Sequence, residues 1–297
     1  MFSYTVCILI LKVRRINNAC NFHIHTSARI IFYTNMLLSI ISIALLCLIT
    51  TTDSLTVCPT MRSAANFTVV AASAISNTGF TVINGNLAIS PSVALTGFNP
   101  PGVINGVTEL GTGIALQAQQ DATTAYNELR SIPLTAQMTG VDLAGKILAP
   151  GVYKFDSAAG IYSPAGILTL NGTGIYIFQV GSTLITSANS EVRLINGVKA
   201  GCIFWQIGSS ATLGQYSLFI GNILAYASVE FAINVTYYGN IYAQTAAVSF
   251  NADTVTHQLS CDVCQTISNS IPGSMNCNSS LNIMLYISIM FFILLLK

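Results

Sequence analysis

The segment Tyr176-Ile-Phe-Gln-Val-Gly181 is echoed by Cys202-Ile-Phe-Trp-Gln-Ile-Gly208, then by Asn222-Ile-Leu-Ala-Tyr226 and Asn240-Ile-Tyr-Ala-Gln244. Successive starts lie 26, 20 and 18 residues apart. A second run rich in small polar residues follows each: Ser182 to Ala188, Ser209 to Gly214, Ser228 to Asn234 and Thr245 to Asn251. In places a third run follows, at Glu191 to Ile195, Ser217 to Ile220 and Val235 to Tyr238. Three short strands per unit, repeated along the chain, describe a β-solenoid of triangular section. An antiparallel sandwich uses strands of the same length, but the recurring order of three different strand types favours the solenoid.

The three strand types differ in what they face. First runs such as Ile203-Phe-Trp-Gln-Ile207 are apolar on both sides and must be covered on both sides. The cover is at hand in the stretch 112–131, TGIALQAQQDATTAYNELRS. Ile114, Ala118, Ala122, Ala125 or Tyr126, and Leu129 recur at intervals of three and four, which gives one narrow apolar helical face. Thr112 suits an N-cap, and Pro133 prevents continuation. Such a helix spans about 30 Å, close to the ~29 Å of six coils stacked at strand spacing. It is therefore expected to lie along the solenoid axis, over the first runs.

Second runs alternate. Leu184, Leu213, Val229, Phe231, Ile233, Val248 and Phe250 are expected to point inward. Thr183, Ile185, Ser187, Ser210, Thr212, Ser228, Ala232, Thr245, Ala247, Ser249 and Asn251 are expected to point outward. The outward set consists of small hydroxyls and methyls, where an ordinary soluble surface carries Lys and Glu.

Composition narrows the function. Only 7% of the 297 residues are charged and 52% are hydrophobic, against about 25% charged in a typical globular chain. Disorder is excluded, because it needs low hydrophobicity and high net charge. A formal net charge of +1 excludes a nucleic-acid partner, which requires clustered Lys and Arg against phosphate. The span 58–274 carries six basic and nine acidic residues, net −3. No Ser-His-Asp arrangement is available, since the only His within it is His257, at the domain edge. The scattered acids do not make a polysaccharide-lyase site. No enzyme activity, metal or cofactor is expected, and a monomer is.

Residues 1–57 read as a leader with a secretory signal, whose hydrophobic part is 36–50, MLLSIISIALLCLIT. Arg14, Arg15 and Arg29 supply a positive flank. Either Met36 is the true start or the segment is a signal anchor, and a cleaved signal is favoured. The solenoid domain is expected over 58–260, followed by a Cys/Ser/Asn-rich stalk at 261–282 and a hydrophobic tail at 283–297. Small residues, a spacer and an apolar terminus form the pattern of a GPI-attachment signal, with Ser270, Gly273, Ser274 or Asn276 as attachment residue. A short tail anchor is the alternative. Either reading puts the domain outside the cell, secreted or on the outer face of the plasma membrane, with the membrane a partner through the tail. Secretion makes Asn66, Asn171 and Asn234 candidates for glycans, and Asn278 completes a fourth sequon.

Of eight cysteines, Cys58, Cys202, Cys261 and Cys264 fall in or beside the domain. A bridge from Cys58 to the Cys261/Cys264 pair would staple the chain ends, though four cysteines allow three connectivities. Cys202, in an apolar strand, reads as a buried free thiol. A zinc site would need four ligands, and only His257 is near Cys261-x-x-Cys264.

The chain resembles the large ice-binding (antifreeze) proteins, built as a discontinuous right-handed β-solenoid with one long helix alongside. The resemblance covers about 64–256. It rests on Asn77-Thr-Gly79, Gly85-Asn-Leu87, Ser90-Pro91, Thr96-Gly-Phe98, Ala118-Gln-Gln-Asp-Ala-Thr-Thr-Ala-Tyr-Asn127 and Pro150-Gly-Val-Tyr153. It continues through Ile177-Phe-Gln-Val-Gly-Ser-Thr-Leu184, Phe204-Trp-Gln-Ile-Gly-Ser-Ser-Ala-Thr-Leu-Gly214, Gly221-Asn-Ile-Leu-Ala225 and Gly239-Asn240. The resemblance implies an extracellular, non-catalytic protein that adsorbs to ice crystals, with an early segment closing beside late coils. The outward row of the second runs is the expected contact. Two features depart from the family pattern: Glu230 stands where relatives often carry Thr, and the Asn234 sequon follows on the same run. A charge or a glycan on a flat face would weaken adsorption. A cell-surface adhesion or glycan-binding module on the same scaffold is the second reading.

Overall fold

The computed structural model describes residues 60–259 and Cys261, together with the backbone of Ser54–Val57 and Gln265–Ser268. The expectations for the leader, Cys58, Cys264, the stalk other than Cys261, and the tail lie outside the residues whose side chains are described. Those two short backbone segments pair antiparallel, Ser54 opposite Ser268 and Val57 opposite Gln265.

Three parallel sheets of nine, eight and seven strands form the sides of a triangular β-solenoid. The seven-stranded sheet runs Ala159–Ile161, Leu184–Thr186, Ala211–Leu213, Val229–Phe231, Val248–Asn251, Ala74–Thr78, Ala94–Thr96. The winding is thus discontinuous. The last coil of the late segment pairs with the first coil of the early one, Val248 opposite Ile75 and Asn251 opposite Thr78. The other two sheets make the same join, Ile241 opposite Val69 and Thr254 opposite Val82.

Inside the prism, side chains from all three sheets meet. Tyr153, Phe178 and Trp205 stack in succession, with ring centroids 5.5 and 3.9 Å apart. Phe219, Tyr237, Phe231, Phe250 and Phe98 continue the aromatic column. In-register parallel strands put equivalent residues one above another, so an aromatic position repeated per coil becomes a stack. The polar atoms brought along are satisfied locally: Trp205 Nε1 donates to Ile220 O at 3.1 Å and the Tyr237 hydroxyl to Gly221 O at 2.6 Å.

The helix Gly113–Ser131 covers the nine-stranded sheet, as its two-sided apolar strands require. Thr112 caps it, its side chain accepting from the Ala115 amide at 3.2 Å. Ala115, Ala118, Ala122, Ala125, Tyr126 and Leu129 pack on Val70, Ala88, Val152, Ile177, Phe204, Leu224 and Tyr242. Ile114, expected on this face, is 58% exposed, and its neighbour Ala115 is fully buried. Strand amides also hold the helix. Gln179 Nε2 donates to the carbonyls of Leu129 and Ile132 at 2.8 and 2.7 Å, satisfying groups that a helix C-terminus leaves open. Gln119 Nε2 reaches back to the carbonyls of Ala243 and Gln244.

Cys202 is not a free thiol. It is bonded to Cys261 across 59 residues of sequence, so Cys261 does not bridge Cys58. The bond fastens the end of the last coil to the strand Ile203–Ile207 in the middle of the helix-covered sheet. Closing a loop of that length restricts the unfolded chain by roughly 4 kcal/mol. Reduction, or Cys202→Ala, is expected to lower the urea unfolding midpoint by the equivalent of about 2–4 kcal/mol, read by circular dichroism. An unchanged midpoint would contradict the assignment.

Candidate functional site: the outward face of the seven-stranded sheet

Alternation along each strand of this sheet sends one set inward and one outward. Ala159, Leu184, Ala211, Val229, Val248 and Ile75 are buried. Beside them, in register, runs the outward row Gly160, Ile185, Thr212, Glu230, Ser249, Ser76, Thr96. A flanking row holds Thr183, Ser210, Ser228, Ala247, Ala74 and Ala94. The other flanking row starts at Tyr162, 42% exposed at the end rung, and continues through Ser187, Gly214, Ala232, Asn251 and Thr78. Rungs stand ~4.8 Å apart and the rows ~6.6 Å apart, a two-dimensional grid of small groups.

The hydroxyls fall into two kinds. Ser228 donates to Ser210 Oγ at 3.0 Å, and Ser187 donates to Tyr162 O at 2.5 Å. These are pinned by the protein. Those of Thr212, Ser249, Ser76 and Thr96, in the central row, have no protein partner among the described residues and face water. The sheet is closely wound: a Cβ on Gly160 would meet Ile185 O at 2.1 Å, so only glycine permits the spacing at that rung.

Three expectations for this face are corrected. Thr245 lies in the corner turn ahead of Val248–Asn251 and donates to Tyr226 O at 2.7 Å, away from the grid. Ile233 is not inward. It is 37% exposed and follows the end of the strand Val229–Phe231, where the alternation stops. Asn234 has a φ of 60°, a left-handed turn that asparagine tolerates. The sequon therefore occupies a corner of the prism, and a glycan there would project from the edge. Asp253 holds that corner together by accepting from the amides of Val235 and Asn251 at 2.7 and 2.6 Å. Burial pushes its carboxyl up to about 6.

Glu230 is exposed in the central row, between Thr212 and Ser249. Ala74, Ser76, Thr78, Ala94 and Thr96 join the face from the early coils. They lie outside the second runs, although Ala74-Ile-Ser-Asn-Thr78 carries the same alternation.

The eight-stranded sheet makes the contrast. Its outward rows include Glu191 and Arg193, paired at 2.7 Å, and exposed Ile147, Val103, Ile195 and Tyr238. That surface is corrugated and charged. The nine-stranded sheet lies under the helix. Among the described residues no group of three or more His, Cys, Asp or Glu is placed to hold a metal.

A discontinuous β-solenoid with a helix on one side and a grid of hydroxyls and methyls on another defines a class of surface-recognition proteins without a conventional pocket at the site. Residues 69–256 match the family described as Ice-binding-like, and the chain belongs to that family. It is similar to an ice-binding protein of Nostoc sp. (strain HG1), 42% identical over 202 residues that make up 66% of this chain and 73% of the relative. It is 28% identical over 232 residues to ice-binding protein 1 of Shewanella frigidimarina, covering 67% of this chain but only 26% of that relative. Among solved structures, the ice-binding protein of the Antarctic ascomycete Antarctomyces psychrotrophicus superposes with a TM-score of 0.64 at 36% identity, covering 69% of this chain and 100% of the other.

Proposed function

We propose that this chain adsorbs to ice through the outward face of its seven-stranded sheet and thereby restrains ice growth or recrystallisation. The observation that carries the reading is the row of unpartnered hydroxyls at Thr212, Ser249, Ser76 and Thr96, set at strand spacing between rows of small side chains. Methyl groups order first-shell water and hydroxyls anchor it. Each contact is weak, and a rigid sheet sums many. Stiff β-branched rotamers lose little entropy on contact. Molecules fixed on a crystal front force it to curve between them, which lowers the temperature at which it advances.

No catalytic step enters this reading. The protein works outside the cell, held at the membrane by its C-terminal tail, and acts as a monomer. Ice-affinity partition of the full chain tests it. The chain is expected to concentrate in a slowly grown ice hemisphere and to suppress recrystallisation, and its exclusion from the ice would overturn the proposal.

Glu230 limits the face. Its carboxylate binds water in a bulk-like geometry at the centre of the grid, so Glu230→Thr is expected to raise recrystallisation inhibition several-fold at equal concentration. Equal endpoints for the two proteins would show that the centre of the row does not touch ice.

A further inference from the structure

A second surface feature lies outside this face. A groove of about 470 Å³ opens beside the C-terminal half of the helix, where the helix-covered sheet turns into the flat one. Tyr126 and Arg130 line it from the helix, Lys154, Asp156 and Gln206 from the strands and their ends, and Tyr226 from a corner.

Gln206 is the telling residue. Its neighbour in register, Gln179, uses its carboxamide to hold the helix C-terminus. Gln206 is only 3% exposed, lines the groove, and its carboxamide makes no hydrogen bond within the protein. A carboxamide placed in this way is suited to a ligand that offers both donors and acceptors. Tyr226, 53% exposed, presents a ring 6.4 Å from that of Tyr126. Arg130 is exposed and has no carboxylate partner among the described residues, whereas Lys154 is paired with Asp156 at 3.4 Å.

We propose that this groove binds an acidic sugar, a uronate unit of a polysaccharide. A pyranose combines an apolar ring face, which stacks on an aromatic side chain, with hydroxyls that both donate and accept. Tyr226 supplies the platform, and Gln206 with Asp156 engages hydroxyls. Arg130 takes the carboxylate through its planar fork. The groove opens at the corner beside the flat grid, and none of its lining residues belongs to the rows of that grid. A chain held in this way to extracellular polysaccharide would keep the flat face presented to water.

The test is titration of the full chain with methyl glucuronide, against methyl glucoside, followed by protein NMR or calorimetry. Saturable binding of the glucuronide in the millimolar range is expected, with the glucoside at least ten-fold weaker. Tyr226→Ala and Gln206→Leu should each weaken the glucuronide ten-fold or more, with unchanged thermal unfolding for the exposed Tyr226 variant. Arg130→Gln should remove the preference for the acid while leaving weak binding of both sugars. Equal affinity for the two sugars would overturn the assignment of Arg130. Absence of binding by either, or full binding by the Tyr226→Ala protein, would overturn the site.

Discussion

Trp205→Ala is expected to destabilise the domain by about 3–5 kcal/mol, enough to unfold much of a chain of ordinary stability. Trp205 is fully buried at the centre of the aromatic column, 3.9 Å from the Phe178 ring and 4.9 Å from Phe219. Its loss leaves a cavity that stacked coils cannot close, because each coil is fixed in register to the next on all three sides. It also leaves the carbonyl of Ile220 without its donor. Urea unfolding measures the effect. Trp205→Phe should recover about half of the loss, since it keeps the stack and gives up only the larger ring and its hydrogen bond. A loss below about 1 kcal/mol for the alanine variant would mean that the column is not a core.

Thr212→Tyr is expected to lower ice affinity at least ten-fold without changing stability. Thr212 lies in the central row, between Ile185 and Glu230, exposed and with a free hydroxyl. A phenol there stands several ångströms proud of its neighbours. It holds the whole rigid sheet off a flat crystal surface, so the weak contacts of many rungs are lost together. The inward residues Ala211 and Leu213 are untouched, which is why folding should survive. Partition into ice and the thermal unfolding midpoint, measured on the same preparation, separate the two effects.

Much of this architecture is legible from the chain. The echo of Tyr176–Val180 in Ile203–Ile207 is a direct image of two strands in register, Phe178 opposite Trp205 and Gln179 opposite Gln206. Alternation in the second runs assigns inside and outside correctly within the strands, and fails outside them, after the strand at Ile233 and ahead of it at Thr245. The helical period is also plain, although it puts Ile114 on the covered face where the structure has Ala115. Local pattern does not determine which distant segments become neighbours. Val248 pairs with Ile75 across most of the domain, so the contribution of Ser76 and Thr96 to the face depends on a long-range register. Cys202 shows the same limit. An apolar strand position suits a buried thiol, and only the fold brings it to Cys261, with 4.6 Å between the Cα atoms.

The central claim is that one side of the prism, and not another, meets ice. The direct measurement is adsorption of fluorescently labelled full chain to a single ice crystal, comparing wild type with Thr212→Tyr and Thr254→Tyr. Thr254 is an exposed, outward threonine on the eight-stranded sheet, paired in register with Thr236 and Val82. Wild type and Thr254→Tyr should coat the crystal equally, and Thr212→Tyr should leave it dark. A crystal coated by Thr212→Tyr but not by Thr254→Tyr, or left bare by all three, would contradict the account.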